Sequence, residues 1–151
     1  MRIATYKTQT RIEVGVLSQD GSAVTPFDIP PERAAGGLLA LLGVDLTLLP
    51  LRDVDHSLNS SDVELLAPIP RPRRNILCVG KNYYAHVQEI ANAGFNTTGS
   101  GAEAPTAPII FSKLPECVIA TGASIRHDSR VTKELDYEAE LAVIIGRRGR
   151  S

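Results

Sequence analysis

Pro68, Pro70 and Pro72 stand at alternate positions in "PIPRPRR". Each lacks a backbone N–H and fixes its own φ. Neither a helix nor an interior strand can therefore run through this stretch. The proline run predicts a domain boundary near residue 70. The chain has 151 residues, enough for one domain or two small ones. The expected division is a small β-rich N-terminal domain over 1–69 and a second domain over 70–151.

Before the prolines, "RIATYKTQTRIEVGVLSQDGSAVTPF" alternates and is rich in Val, Ile and Thr. The Asp20-Gly21 step is a hairpin signal, so residues 1–27 read as a small antiparallel unit. "IPPERAAGGLLALLG" reads as a short helix. Pro31 suits its first turn and leucines form its apolar stripe. Gly36 and Gly37 weaken it, and Gly43 can cap it. "SSDVELLAPIP" predicts a polar turn and then a brief strand.

After the prolines, "NILCVG" predicts a strand ending at Gly80, with Cys78 as a small buried hydrophobe. "KNYYAHVQEIANAG" predicts a helix from about Tyr84 to Ala93, closed by Gly94. "GFNTTGSGAEAPTA" reads as a flexible polar loop and "PIIFSK" as another strand. "VIATGASIRHDSRVTKE" reads as strand, turn and connection. "LDYEAELAVIIG" carries the strongest strand pattern in the chain: apolar, partly β-branched, closed by Gly146.

Composition removes several function classes. Lys+Arg number 16 and Asp+Glu 17, giving a net charge of -1 and no case for nucleic acid or a membrane surface. Arg71, Arg73 and Arg74 read as a solvated linker. No apolar stretch approaches membrane-spanning length. The polar N-terminus is unlike a secretion signal, and the two cysteines form no metal-type pair, so a reducing cytoplasm is expected.

Two groupings could carry chemistry. A strand alternates faces with period two, so Asp136, Glu138 and Glu140 would share one face beside a segment that wants burial. Hard carboxylate oxygens suit Mg²⁺, Mn²⁺ or Ca²⁺, and a cation would remove their repulsion. The plainer reading is a solvated acidic face, paired with Arg147 or Arg148 on a neighbour. In "YAHVQE", His86 and Glu89 at i and i+3 share a helix face. A carboxylate that holds an imidazole is the pairing general-base catalysis uses, although an ordinary surface ion pair has the same spacing. Lys81 and Lys113, each at a strand end, could clamp an anionic substrate or could be surface lysines. His127 reads as solvated and His56 as loop. "VGKN" lacks the rest of a phosphate-binding loop.

"ILCVGKNYYAH", "PIIFSK" and "LDYEAELAVIIG", in that order and spacing, resemble the fumarylacetoacetate hydrolase family. The resemblance covers residues from about 68 onward. Residues 1–67 look like the small N-terminal domain of many bacterial members, including 2-hydroxyhepta-2,4-diene-1,7-dioate isomerases. It implies an α+β, mainly β fold: a small N-terminal β domain, then the first part of a mixed β-roll, usually dimeric. It implies a metal-dependent enzyme acting on small oxo- or hydroxy-dicarboxylates in aromatic-compound catabolism. The reaction would be C–C hydrolysis, decarboxylation or isomerisation. The family's Glu-x-Glu metal motif falls on Glu138 and Glu140, for Mg²⁺, Mn²⁺ or Ca²⁺. Asp136 lies where the family varies. The lid-helix His and Glu fall on His86 and Glu89, and the strand lysine on Lys113. Lys81 is a further substrate-binding candidate.

The resemblance also places a third metal carboxylate, an Asp, and another lysine beyond Ser151. It therefore implies that the chain corresponds to the N-terminal portion of such an enzyme. The alternative is a catalytically incomplete fragment serving as a dimerisation or interaction module.

Overall fold

The computed structural model describes residues 1–92, 105–147 and 149–150. The polar loop expected from residue 94, the helix-closing Gly94 and the neighbouring Arg148 fall outside the described residues, apart from the loop's end at 105–107. The chain forms two compact units, one of Met1–Pro70 with Val118–Ser151 and one of Arg71–Cys117. The described elements are mainly strands with two short helices, an α+β, mainly β architecture.

The first unit is built on five antiparallel strands. They are β1 (Arg2–Lys7), β2 (Ile12–Leu17), β3 (Ala23–Pro26), β4 (Leu58–Asn59) and β5 (Glu64–Leu65), in the order β4-β3-β2-β1-β5. Alternation sends Val14 inward, where it packs with Phe27, Ile29, Ala34 and Leu41. Gly21 takes a φ of 81° in the β2–β3 turn, which glycine adopts without steric cost. Asp20 pins that turn by accepting from the Ser18 hydroxyl (2.6 Å) and the Ser22 amide (3.1 Å). These bonds, led by the Ser18 hydroxyl, hold the Asp20 carboxyl down at about 2.

The expected single helix over "IPPERAAGGLLALLG" is instead divided. α1 spans only Pro31–Ala34, and a 3₁₀ turn follows over Gly37–Leu41. Gly37 has a φ of 60°. A Cβ there would meet the Pro68 carbonyl oxygen at 2.6 Å and Pro70 Cδ at 2.9 Å. The chain breaks its helix to admit the proline segment. The Pro68 oxygen accepts from the Thr5 hydroxyl (2.7 Å) and the Leu38 amide (2.9 Å). His56, expected in loop, closes a 3₁₀ turn over Val54–His56.

A buried charge lies on the same sheet. Tyr6 and Glu13 are cross-strand partners, 0% and 3% exposed. The Tyr6 hydroxyl donates to Glu13 Oε2 (3.2 Å). Arg11 Nε and Arg52 Nη1 each donate to Glu13 Oε1 at 2.7 Å. Burial alone pushes the Glu13 carboxyl up, but the Arg52 bond and charge, with Arg11 and Tyr6, outweigh it and hold it below its ordinary value. Burial, then the charge and hydrogen bond of Glu13, push the Tyr6 phenol above its ordinary value.

Two strand expectations fail in this unit. The stretches read as strands in "VIATGASIRHDSRVTKE" and "LDYEAELAVIIG" form no strand among the described residues. Leu141 is 83% exposed and Val143 75%. Apolar alternation says which face of a strand would be buried. It does not supply the partner whose N–H and C=O groups complete a ladder, and no described strand pairs with this stretch.

The second unit pairs β6 (Ile76–Gly80) with β7 (Ile109–Lys113), antiparallel, with Cys78 opposite Phe111. α2 spans Tyr84–Asn92 and buries Val87. Cys78 is half-buried, not buried as expected, because a two-stranded ribbon covers only part of each face. Among the described residues no helix is long and apolar enough to cross a membrane.

Candidate functional site

The chain leaves β6 through an unusual backbone. Gly80 could take a left-handed turn at no cost, yet Lys81 takes it, with a φ of 54°. It is the single non-glycine residue with positive φ among the described residues. A left-handed conformation costs an L-residue with a Cβ roughly 1–2 kcal/mol. Such strain persists where the surroundings hold it, often beside a binding site.

Lys81 is half-buried and lines a shallow cleft of about 260 Å³. Val79, Gly80 and Asn82 continue its β6 wall, and Pro105 to Pro108 form the other. The wall mixes one ammonium, the Asn82 amide and the Thr106 hydroxyl with apolar proline and valine. That mixture suits a small anion with a carbon skeleton. No sequence motif marks Asn82 or Thr106. Their signal is position alone, directly after a strand end and directly before the next strand.

α2 begins three residues beyond Lys81, at Tyr84. His86 and Glu89 lie one turn apart on it, with His86 Nδ1 3.6 Å from Glu89 Oε2. Their side chains are 40% and 79% exposed. At that exposure the pair contributes little to stability, roughly 0–1 kcal/mol. Its chemical effect is to orient the ring. A carboxylate facing Nδ1 favours the N–H there and makes Nε2 the basic nitrogen.

Lys113 is placed differently. It is exposed at the end of β7, its Nζ 5.9 Å from the centroid of the Phe111 ring, within cation–π range. It is not on the cleft wall.

Glu138 and Glu140 belong to the first unit and are both exposed, on the stretch that forms no strand. Asp136 there accepts the Tyr137 amide at 2.8 Å. Their oxygens are of the kind Mg²⁺ or Ca²⁺ takes. Among the described residues, however, no three His, Cys, Asp or Glu side chains come together. The two carboxylates do not by themselves build a metal site. His127, exposed as expected, has Nε2 2.7 Å from the Thr132 carbonyl oxygen.

Comparison with known proteins gives this arrangement a context. The family described as fumarylacetoacetate (FAA) hydrolase C-terminal matches residues 75–151. Oxaloacetate tautomerase YisK of Bacillus subtilis is 45% identical over 89 residues, covering 59% of this chain and 27% of that protein. The mitochondrial oxaloacetate tautomerase fahd2 of Xenopus laevis is 35% identical over 96 residues, covering 64% and 26%. The match thus spans about a quarter of the length of these curated relatives. Among solved structures, fumarylacetoacetate hydrolase from psychrophilic Exiguobacterium antarcticum is similar at 29% identity. Its TM-score is 0.41, over 79% of this chain and 37% of that one.

Proposed function

The chain belongs to the fumarylacetoacetate hydrolase family, and from that premise we propose that it provides the acid–base part of a site that isomerises a small oxo-dicarboxylate. The observation that carries this reading is the His86–Glu89 pair, 3.6 Å apart on a helix that starts just after the Lys81 cleft. The relatives named oxaloacetate tautomerases favour keto–enol isomerisation over C–C hydrolysis or decarboxylation, the other reactions open to the family.

The chemistry is a proton relocation. A proton leaves the carbon beside the substrate carbonyl, and a proton arrives on the carbonyl oxygen. His86 Nε2 takes the first and returns one from the same ring. Glu89 holds the ring and stabilises the imidazolium formed in between. Lys81 binds a substrate anion, with Lys113 as the second candidate.

We assign Glu138 and Glu140 to a divalent cation, Mg²⁺, Mn²⁺ or Ca²⁺, which would need ligands besides these two carboxylates. Such an ion, when bound, stabilises enolate charge as a Lewis acid. A homodimer, a cytoplasmic setting and a place in aromatic-compound catabolism complete the proposal. Division into domains at 1–69 and 70–151 belongs to it as well.

The test is the rate at which the enol absorbance of oxaloacetate decays. Acceleration by the protein, lost in His86→Asn, supports the reading. The second reading is an interaction module without turnover. Exposed apolar residues on the β6–β7 ribbon favour it, with Leu77 72% and Ile110 57% exposed. It predicts no acceleration at saturating Mg²⁺ together with a stable oligomer in light scattering.

A further inference from the structure

A second charged grouping lies on the first unit, in residues that precede the family-matched stretch 75–151. Arg11 Nε and Arg52 Nη1 both donate to one oxygen, Glu13 Oε1, at 2.7 Å. Two nitrogens so placed lie no more than twice that distance apart. The Tyr6 hydroxyl donates to the other oxygen, Oε2. Two guanidinium groups thus converge on a single carboxylate. Among the described residues no second carboxylate makes an ion pair with either. One positive charge is left over. We propose that Arg11 and Arg52 together bind a phosphate group, free or on a small ester. This goes beyond the function proposed above and does not rest on it.

The physical argument concerns spare donors and their placement. A guanidinium carries its N–H donors in a planar fork. Glu13 uses one nitrogen of each fork. Among the described residues the other guanidinium nitrogens of Arg11 and Arg52 have no protein partner. None is a buried atom left unsatisfied, so they reach the surface. The Arg52 side chain is only 21% exposed, against 45% for Arg11, so water screens its charge less than that of a free surface arginine. Both residues are also held in place. The Arg52 amide donates to the Pro26 carbonyl oxygen (3.0 Å) and the Arg11 amide to the Thr8 hydroxyl oxygen (3.2 Å). Groups already ordered lose less freedom when they bind. Two neighbouring forks suit a tetrahedral phosphate, whose oxygens take donors from more than one direction, whereas a planar carboxylate offers one edge to one fork. Arg130 shows the contrast: it spends Nε and Nη2 on Asp128 alone, which matches its charge.

The test titrates the full ¹⁵N-labelled chain with inorganic phosphate at fixed pH and ionic strength, and follows the backbone and Nε–H signals of Arg11 and Arg52. The expected result is movement of these signals that saturates in the millimolar range, with acetate and chloride weaker by about tenfold or more. Methyl phosphate is the second arm. Saturation by both phosphates supports the site and admits esters. Saturation by inorganic phosphate alone supports it and assigns it to the free ion. Arg11→Gln removes one fork and leaves Glu13 its bonds to Arg52 and Tyr6, so the chain should stay folded and bind phosphate about tenfold or more weaker. Should that variant not fold, Arg11→Lys replaces it. It keeps the charge and loses the fork, and should also bind more weakly. No saturable movement by phosphate, equal saturation by acetate or chloride, or unchanged phosphate affinity in the folded variant overturns the inference. Oxaloacetate tautomerisation is a separate readout, and its absence would leave this inference standing.

Discussion

The left-handed backbone at the end of β6 falls on Lys81 and not on its neighbour Gly80. Gly80 has room for a Cβ: one built there would meet Ile109 Cγ2 at 3.5 Å, ordinary contact. The strain therefore sits on the residue that carries the ammonium. Lys81→Gly should raise stability by up to about 1 kcal/mol, and Lys81→Val should lower it by at least that much. Denaturant midpoints of the two variants check this. A stabilised Lys81→Val would contradict the strain.

Gly37 should tolerate substitution far less than Gly21, although both have positive φ. A Cβ at Gly37 would press on the Pro68 oxygen at 2.6 Å and the Thr5 hydroxyl oxygen at 2.8 Å, whereas Gly21 has nothing within 4 Å. Gly21→Ala should cost about 1 kcal/mol from backbone strain alone, and Gly37→Ala about 2–4 kcal/mol with overpacking added. Thermal unfolding of the two variants side by side is the measurement. Equal losses would mean that the proline segment does not press on Gly37.

Stability should depend on pH through Glu13 and Tyr6. The Glu13 carboxyl is held below its ordinary value of 4.5, so its contribution is present above that value and is lost as pH falls through the lowered one. The Tyr6 phenol is raised, so its contribution is present below its ordinary value of 10.0 and is lost as pH rises beyond it. Unfolding midpoints across pH should fall at both ends. Glu13→Gln should flatten the acid limb and cost about 2 kcal/mol at neutral pH, since Arg52 loses its charged partner. An unchanged acid limb in Glu13→Gln would show that other carboxylates set it.

Glu89 should matter less than His86. Glu89→Gln keeps an oxygen near the ring but removes the charge that steadies the imidazolium. The rate should fall about tenfold, against roughly 10²- to 10⁴-fold for loss of the imidazole itself. Steady-state kinetics should put the Glu89→Gln loss in kcat rather than KM. A loss confined to KM would make Glu89 a binding residue.

Much of this was legible in the chain. The alternation of residues 1–27 and the Asp20-Gly21 step correspond to β1, β2, β3 and the β2–β3 turn. "NILCVG", "YAHVQEIAN" and "PIIFSK" correspond to β6, α2 and β7. What stayed hidden depends on groups distant in sequence. The helix over "IPPERAAGGLLALLG" breaks because Pro68, some thirty residues on, needs the space beside Gly37. "LDYEAELAVIIG" has a strand's pattern and no partner among the described residues. Glu13 sits in a run of alternating residues like any solvent-facing acid. Its burial rests on Arg52, brought to 2.7 Å from across the unit, together with Arg11 and Tyr6. The left-handed turn was hidden for the opposite reason, since the adjacent glycine is the residue local propensity would choose.

The central claim is that the His86 imidazole carries the proton. The most direct measurement is chemical rescue. His86→Gly is assayed for oxaloacetate tautomerisation with Mg²⁺ present, before and after adding free imidazole. Activity should fall at least about 10²-fold and be partly restored by imidazole in a saturable manner. Full activity in His86→Gly without imidazole would contradict it.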